Sequence, residues 1–159
     1  MYAIIFSNSK RGLVCVMPGK NYSHQLDAKN RMRIPAKLRA ELGDKYTITI
    51  GTGGCLYVYT EEQMKDVRAL LENVNAYRGD ELKVARFILY NTWEAEEDNQ
   101  GRILIPENLR KYAKLEKNII VMQGPNCIEI WSEEVFNEYF NDINFDVLAD
   151  AVDKIKNNG

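Results

Sequence analysis

Apolar and polar residues alternate along residues 46–60, with Ile48 and Ile50 on one side of Gly51-Thr52-Gly53-Gly54 and Leu56 and Val58 on the other. A period of two around a glycine-rich break predicts two antiparallel strands joined by a turn. Residues 119–130 repeat the pattern around Gly124-Pro125-Asn126. Between these segments the period lengthens. Met64, Val67, Leu70, Leu71 and Val74, followed by Leu82, Ala85, Ile88 and Leu89, fall at helical spacing. They predict a helical hairpin, broken near Tyr77-Arg78-Gly79, whose apolar stripe caps the β core. Pro35 and Pro106 suit the first position of a short helix, and Gly43 is placed to end the first of these in a left-handed conformation. A final helix is predicted from about Glu133 through Asp146 to Lys156, with Asn157-Asn158-Gly159 fraying at its end.

The pattern repeats in sequence as well as in period. Asp27-Ala-Lys-Asn-Arg-Met-Arg-Ile-Pro-Ala-Lys-Leu-Arg39 aligns without gaps on Asp98-Asn-Gln-Gly-Arg-Ile-Leu-Ile-Pro-Glu-Asn-Leu-Arg110, 71 residues later. One inserted residue then moves the match to 72, pairing Cys55-Leu-Tyr-Val-Tyr59 with Cys127-Ile-Glu-Ile-Trp131. Two copies of one supersecondary unit define the architecture: α+β and β-rich, with an N-terminal extension (1–20), a first repeat (21–64), a helical connector (65–92), a second repeat (93–136) and a C-terminal helix and tail (137–159).

Composition narrows the functions. The 159 residues carry 21 Lys and Arg against 23 Asp and Glu, a net charge of −2 that attracts no polyanion by itself. Nucleic-acid binding therefore requires local segregation of positive charge. Cys15, Cys55 and Cys127 are far apart, and His24 is the only histidine. These are too few ligands for an ordinary zinc site and offer no base for a serine triad other than His24. No cofactor, metal, catalytic residue, small-molecule ligand or membrane span is expected, and the location expected is cytoplasmic.

Candidate chemistry lies in the two Asp-xxx-Arg turns. Asp27 and Asp98 suit the start of a turn, where a carboxylate accepts backbone N–H bonds, and Asn30 and Gly101 occupy the position needing positive φ. Beyond the turn, strand alternation sends Arg31 and Arg33 to one face and Met32 and Ile34 to the other. With Lys29 these make a three-cation cluster suited to phosphates and to guanine O6 and N7. The second turn has Gln100, a candidate adenine reader, in place of Lys29, keeps Arg102, and has Leu104 in place of Arg33. It also follows Glu94, Glu96 and Glu97, so the expected order of importance is Lys29, Arg31 and Arg33 first and Arg102 second.

These residues resemble the MraZ family of transcriptional regulators from about Asn21 to Phe140. The resemblance rests on Tyr22-Ser-His-Gln-Leu-Asp-Ala-Lys-Asn-Arg31 with Ile34-Pro-Ala-Lys37, on Gly54-Cys-Leu-Tyr-Val-Tyr59, on Asp98-Asn-Gln-Gly-Arg-Ile-Leu-Ile-Pro106 and on Ile128-Glu-Ile-Trp131. It implies two tandem AbrB/SpoVT-like swapped-hairpin units forming a pseudo-dimeric barrel, ring-shaped homo-oligomers, and nucleoid-associated binding to double-stranded DNA. The implied target is a set of short direct repeats in the promoter of the chain's own cell-division and cell-wall gene cluster, with repression as the expected outcome. Lys29, Arg31 and Arg102 carry over as DNA contacts. The family's pattern has glycine where Asn30 stands and begins just before the first hairpin, so residues 1–16 read as an extension and Met17 as a start. The alternative from another class is an antitoxin-like protein-interaction module of the same fold.

Overall fold

A computed structural model describes residues 21–157; the expected extension and the start at Met17 lie outside the described residues. The first repeat folds as β1 (Asn21–Gln25), β2 (Arg31–Met32), α1 (Ala36–Leu42), β3 (Tyr46–Ile50), β4 (Leu56–Thr60) and α2 (Glu61–Glu72). After α3 (Gly79–Tyr90) the second follows as β5 (Trp93–Glu94), β6 (Ile103–Leu104), α4 (Glu107–Tyr112), β7 (Asn118–Gln123), β8 (Ile128–Ser132) and α5 (Glu133–Phe140), and α6 (Phe145–Asn157) ends the described chain.

The strands form a six-stranded antiparallel sheet in the order β1-β7-β8-β4-β3-β5 and a separate ribbon of β2 and β6. Each repeat therefore places its first strand on the other repeat's hairpin. Tyr22 faces Val121 and Trp93 faces Ile48, which are equivalent pairs. Met32 opposes Ile103 in the ribbon and Tyr57 opposes Glu129 between the hairpins. Exchanging the two repeats maps each of these last two pairs onto itself, so an internal two-fold axis runs through both. The six-stranded sheet is open, with β1 and β5 as its edges, where a barrel was expected. The two-residue β6 pairs with β2 and, through a single bridge at Ile103, with Glu97, so among the described residues no strand bridges those edges.

Register also corrects the repeat. Ile48 pairs with Val58 and Val121 with Ile130, which sets β3 and β7 73 residues apart. Two residues, not one, enter between α4 and β7, and one is lost from the second hairpin turn.

The core lies between the sheet and the ribbon and draws equally on both repeats. Met32, Ile34, Leu38, Leu56 and Val58 from the first pack with Ile103, Ile105, Leu109, Ile128 and Ile130 from the second. Each such side chain contributes about 1.5–3 kcal/mol by leaving water. Neither repeat encloses this core alone, because its own first strand is on the other hairpin.

The helices meet the sequence expectations unevenly. Pro35 and Pro106 sit one residue before their helices, with ψ of 134° and 151°, because an extended backbone is needed to turn off the ribbon. Gly43 takes the expected positive φ of 74°. The α2–α3 hairpin buries only Met64 and Ala85 fully, and Leu70, Val84, Phe87, Leu89 and Tyr90 stand exposed. The expected final helix breaks at residues 141–144. The side chain of Asn144 accepts a hydrogen bond from the Val147 backbone N–H at 3.0 Å and starts α6 anew. Among the described residues no helix is long and apolar enough to cross a membrane.

Candidate nucleic-acid interface

Each Asp-xxx-Arg turn is built by its own aspartate. Asp27 Oδ1 accepts the backbone N–H groups of Lys29 and Arg31 at 2.8 and 2.9 Å, and the Asp27 and Arg31 main chains close the turn at 2.9 Å. Asp98 repeats this with Gln100 and Arg102, both at 2.9 Å. Asn30 at φ 58° and Gly101 at φ 71° supply the left-handed residue that both turns need.

The other carboxylate oxygen holds the arginine. Arg31 Nε donates to Asp27 Oδ2 at 2.9 Å and Arg102 Nε donates to Asp98 Oδ2 at 2.8 Å. Pairing of β2 with β6 then sets the turns side by side, and the arginines reach across. Arg31 Nη1 lies 3.5 Å from Asp98 Oδ2, and Arg102 Nη1 lies 3.9 Å from Asp27 Oδ2. Four charges that alternate in sign thus join the two repeats on their two-fold axis. The guanidiniums are engaged, with 24% of the Arg31 side chain and 27% of the Arg102 side chain exposed. Hydrogen bonds to the charged form lower both carboxyl pKa values. Backbone N–H donation from Arg102 is the main cause at Asp98, which is held at about 2, and donation from Arg31 is the main cause at Asp27.

Around this neutral centre the surface is unequal. Lys29 and Arg33 of the first repeat stand exposed, as do Gln100 and Leu104 in the matching places of the second, and in the ribbon Leu104 lies opposite Arg31. The sequence pattern gave no sign of the role of Glu97. Its Oε1 is bonded by Arg39 Nε and accepts the Tyr46 hydroxyl at 2.8 Å, and the Arg39 guanidinium lies 5.1 Å above the Tyr46 ring. Burial first, and then Glu97, push the Tyr46 hydroxyl pKa up. Glu97 corresponds to Leu26, so the matching Arg110 turns to the Ile105 carbonyl at 3.0 Å instead. Cys55 and Cys127 are buried free thiols, and burial pushes both pKa values up to about 12.

Two hairpin-and-helix repeats that share one sheet and meet at paired Asp-xxx-Arg turns define a class, the single-chain pseudo-dimer with one composite site. The MraZ protein family, whose description carries the words antitoxin-like, matches this sequence over residues 17–83 and 88–158. The chain belongs to the MraZ family. It is 44% identical over 136 residues, 84% of this chain and 95% of the relative, to the protein named transcriptional regulator MraZ of Thermoanaerobacter pseudethanolicus. A protein of the same name from Caldanaerobacter subterraneus is 41% identical over 83% of this chain and 94% of its own length. A third, from Clostridium beijerinckii, is 40% identical over 84% and 95%.

Proposed function

We propose that this chain is a sequence-specific DNA-binding transcription regulator and that the paired turns are its DNA-facing surface. The observation that carries this reading is the juxtaposition of the two tips on the β2–β6 ribbon, with Lys29 and Arg33 exposed beside the Asp–Arg cluster. A two-stranded ribbon fits the major groove, and arginine and lysine suit phosphates and guanine edges. Lys29 and Arg33 hold phosphates, while Gln100 is placed for an adenine. Arg31 and Arg102 reach DNA by exchanging part of their carboxylate bonding for a base edge or a phosphate. The names of the relatives support regulation of transcription. We read the exchange of first strands as the swapped-hairpin arrangement. The rest follows the family resemblance: a homo-oligomeric ring, acting as a repressor on direct repeats upstream of its own cell-division and cell-wall cluster in the cytoplasm.

The test is fluorescence anisotropy with the chain's own upstream DNA and a scrambled duplex, titrated with salt. Binding to the upstream DNA is expected to be tighter at every salt concentration, although both weaken as counterions compete. Arg31→Ala is expected to lose about 1–3 kcal/mol of discrimination. Equal affinity for both duplexes refutes the reading. A specific observation favours one alternative, an antitoxin-like interaction module. Helix α6 buries none of its residues and exposes Phe145, Leu148 and Ile155. Co-purification of a stoichiometric small protein, together with equal affinity for the two duplexes, would select that alternative.

A further inference from the structure

We propose that the cleft between α2 and the β3–β5 edge of the sheet binds a small phosphorylated molecule, one that carries hydroxyl or amino groups beside its phosphate. The cleft has a volume of about 220 Å³. Lys45 just before β3, Lys65 and Arg68 on α2, and the carboxylates of Glu61 and Glu94 line it, with the buried Met64 in its wall. Lys65 and Arg68 stand one turn apart on the same face of α2. Among the described residues none of the three cations is in an ion pair, although Glu61 lies one turn before Lys65.

The internal two-fold axis supplies the comparison that gives these cations meaning. It maps the cleft onto a second one, between β1 and α5, lined by Ser23, His24, Asn118, Ile119 and Glu133. Four positions correspond across the axis: Glu94 with Ser23, Lys45 with Asn118, Tyr46 with Ile119 and Glu61 with Glu133. The fold therefore builds the hollow twice, and the hollow needs no cation to form. In the second repeat Asn137 and Phe140 stand in the places of Lys65 and Arg68, and the Phe140 ring packs on Trp131 with centroids 5.9 Å apart. The first repeat gives up that packing for a guanidinium.

The donor set selects the ligand. Arginine presents a planar fork that matches two phosphate oxygens, and the two ammonium groups supply further charge-assisted bonds. Drug-sized occupants need about 300–1,000 Å³, so the molecule is smaller than that. Glu61 and Glu94 accept hydrogen bonds from hydroxyl or amino groups beside the phosphate. They also repel a polyanion, as do Glu41, Asp44 and Glu62 in the adjoining hollow, which sets this cleft apart from a contact with the DNA backbone.

The cleft is joined to the second turn by main chain. Glu94 pairs with Thr47, and the Ala95 N–H donates to the Tyr46 carbonyl at 3.0 Å. Glu97 then accepts the Tyr46 hydroxyl, and Asp98 begins the turn. A ligand held between α2 and Glu94 fastens the two-residue strand β5 and steadies the turn that follows. Ordering that turn in advance lowers what DNA binding costs. This coupling rests on the DNA-binding reading above; the site itself does not.

Isothermal titration calorimetry of the full chain tests the site, with glucose 6-phosphate, inorganic phosphate and glucose as separate probes at matched ionic strength. Glucose 6-phosphate is expected to saturate a single site with a dissociation constant below about 1 mM, inorganic phosphate to bind more weakly and glucose not at all. Lys65→Gln combined with Arg68→Gln, both at exposed positions, is expected to lose at least about tenfold in affinity. Lys29→Gln combined with Arg33→Gln, in the first turn, is expected to change nothing. Absence of saturable binding overturns the proposal. So does equal affinity in the cleft variant, or a loss confined to the turn variant, which would put the phosphate on the DNA-facing surface. The coupling is read by anisotropy on upstream DNA at constant ionic strength, because added salt alone weakens binding. Saturating glucose 6-phosphate is expected to tighten DNA binding at least about fivefold in the wild type and to have no effect in the cleft variant. Unchanged DNA affinity with the cleft occupied overturns the coupling. Failure to bind upstream DNA in preference to scrambled DNA removes the coupling together with the DNA-binding reading, while calorimetry still decides the site.

Discussion

Asp27 and Asp98 each divide their two oxygens between tasks. One oxygen closes a turn through two backbone N–H groups, and the other holds a guanidinium in the composite cluster. All of these bonds favour the ionised form, so the folded pKa of each lies below that of an unfolded aspartate, about 3.9. A group lowered in this way contributes its stabilisation fully above the unfolded value and loses it as pH falls through the folded value. For Asp98, held at about 2, the window runs from about pH 4 to pH 2. Thermal unfolding of the wild-type protein is therefore expected to fall in midpoint across that interval. Asp98→Asn removes the charge while leaving an amide oxygen for the turn, and is expected to unfold at lower temperature at pH 7 with a shallower decline into acid. Parallel midpoint curves for the two proteins would show that the charge of Asp98 contributes nothing to the pH dependence.

The two repeats begin their post-hairpin helices at equivalent residues, Thr60 and Ser132, with different chemistry. The Thr60 hydroxyl accepts the Gln63 backbone N–H at 3.2 Å and the Gln63 side chain accepts the Thr60 N–H at 2.9 Å, a reciprocal cap at the start of α2. The Ser132 side chain makes no cap bond to α5. In urea unfolding, Thr60→Ala is expected to cost about 1 kcal/mol and Ser132→Ala to cost less, with the reverse ranking contradicting this account. Helices and β-hairpins of this kind are legible in the sequence because local spacing and turn residues determine them. The bonding of Asp to Arg within each turn is legible for the same reason, since both partners lie four residues apart. The reach of Arg31 to Asp98 and of Arg39 to Glu97 is not, because it depends on pairing between segments far apart in the chain and no period marks it. The break before α6 is hidden because Ile143 and Phe145 continue the apolar run while Asn141 and Asn144, which end one helix and start the next, look like ordinary solvent-facing residues. The exposed faces of α2 and α3 are unreadable for a different reason: helical spacing shows that an apolar face exists, but not how much of it the sheet covers.

At the scale of the molecule, the exchange of β1 and β5 determines what can fold alone. A first half separated near Arg78 would carry β1 without β7, and the second half would carry β5 without β3. Each would expose half of a core whose central members, including Leu38 and Leu109, are completely buried in the whole chain. Losing that cover is costly, because full burial of one large apolar side chain is worth about 1.5–3 kcal/mol and many are involved. The split itself is mild, since residues 75–80 are exposed and Arg78 precedes α3 in an open loop. Residues 1–78 and 79–159 produced separately are therefore expected to lack a cooperative monomeric melt, and to regain sheet circular dichroism and a single transition when mixed. A half that melts cooperatively as a monomer at low concentration would show that one repeat is self-sufficient. If instead a half folds only as a pair of identical halves, the shared core is confirmed as the folding unit, because the two-fold axis lets one repeat substitute for the other.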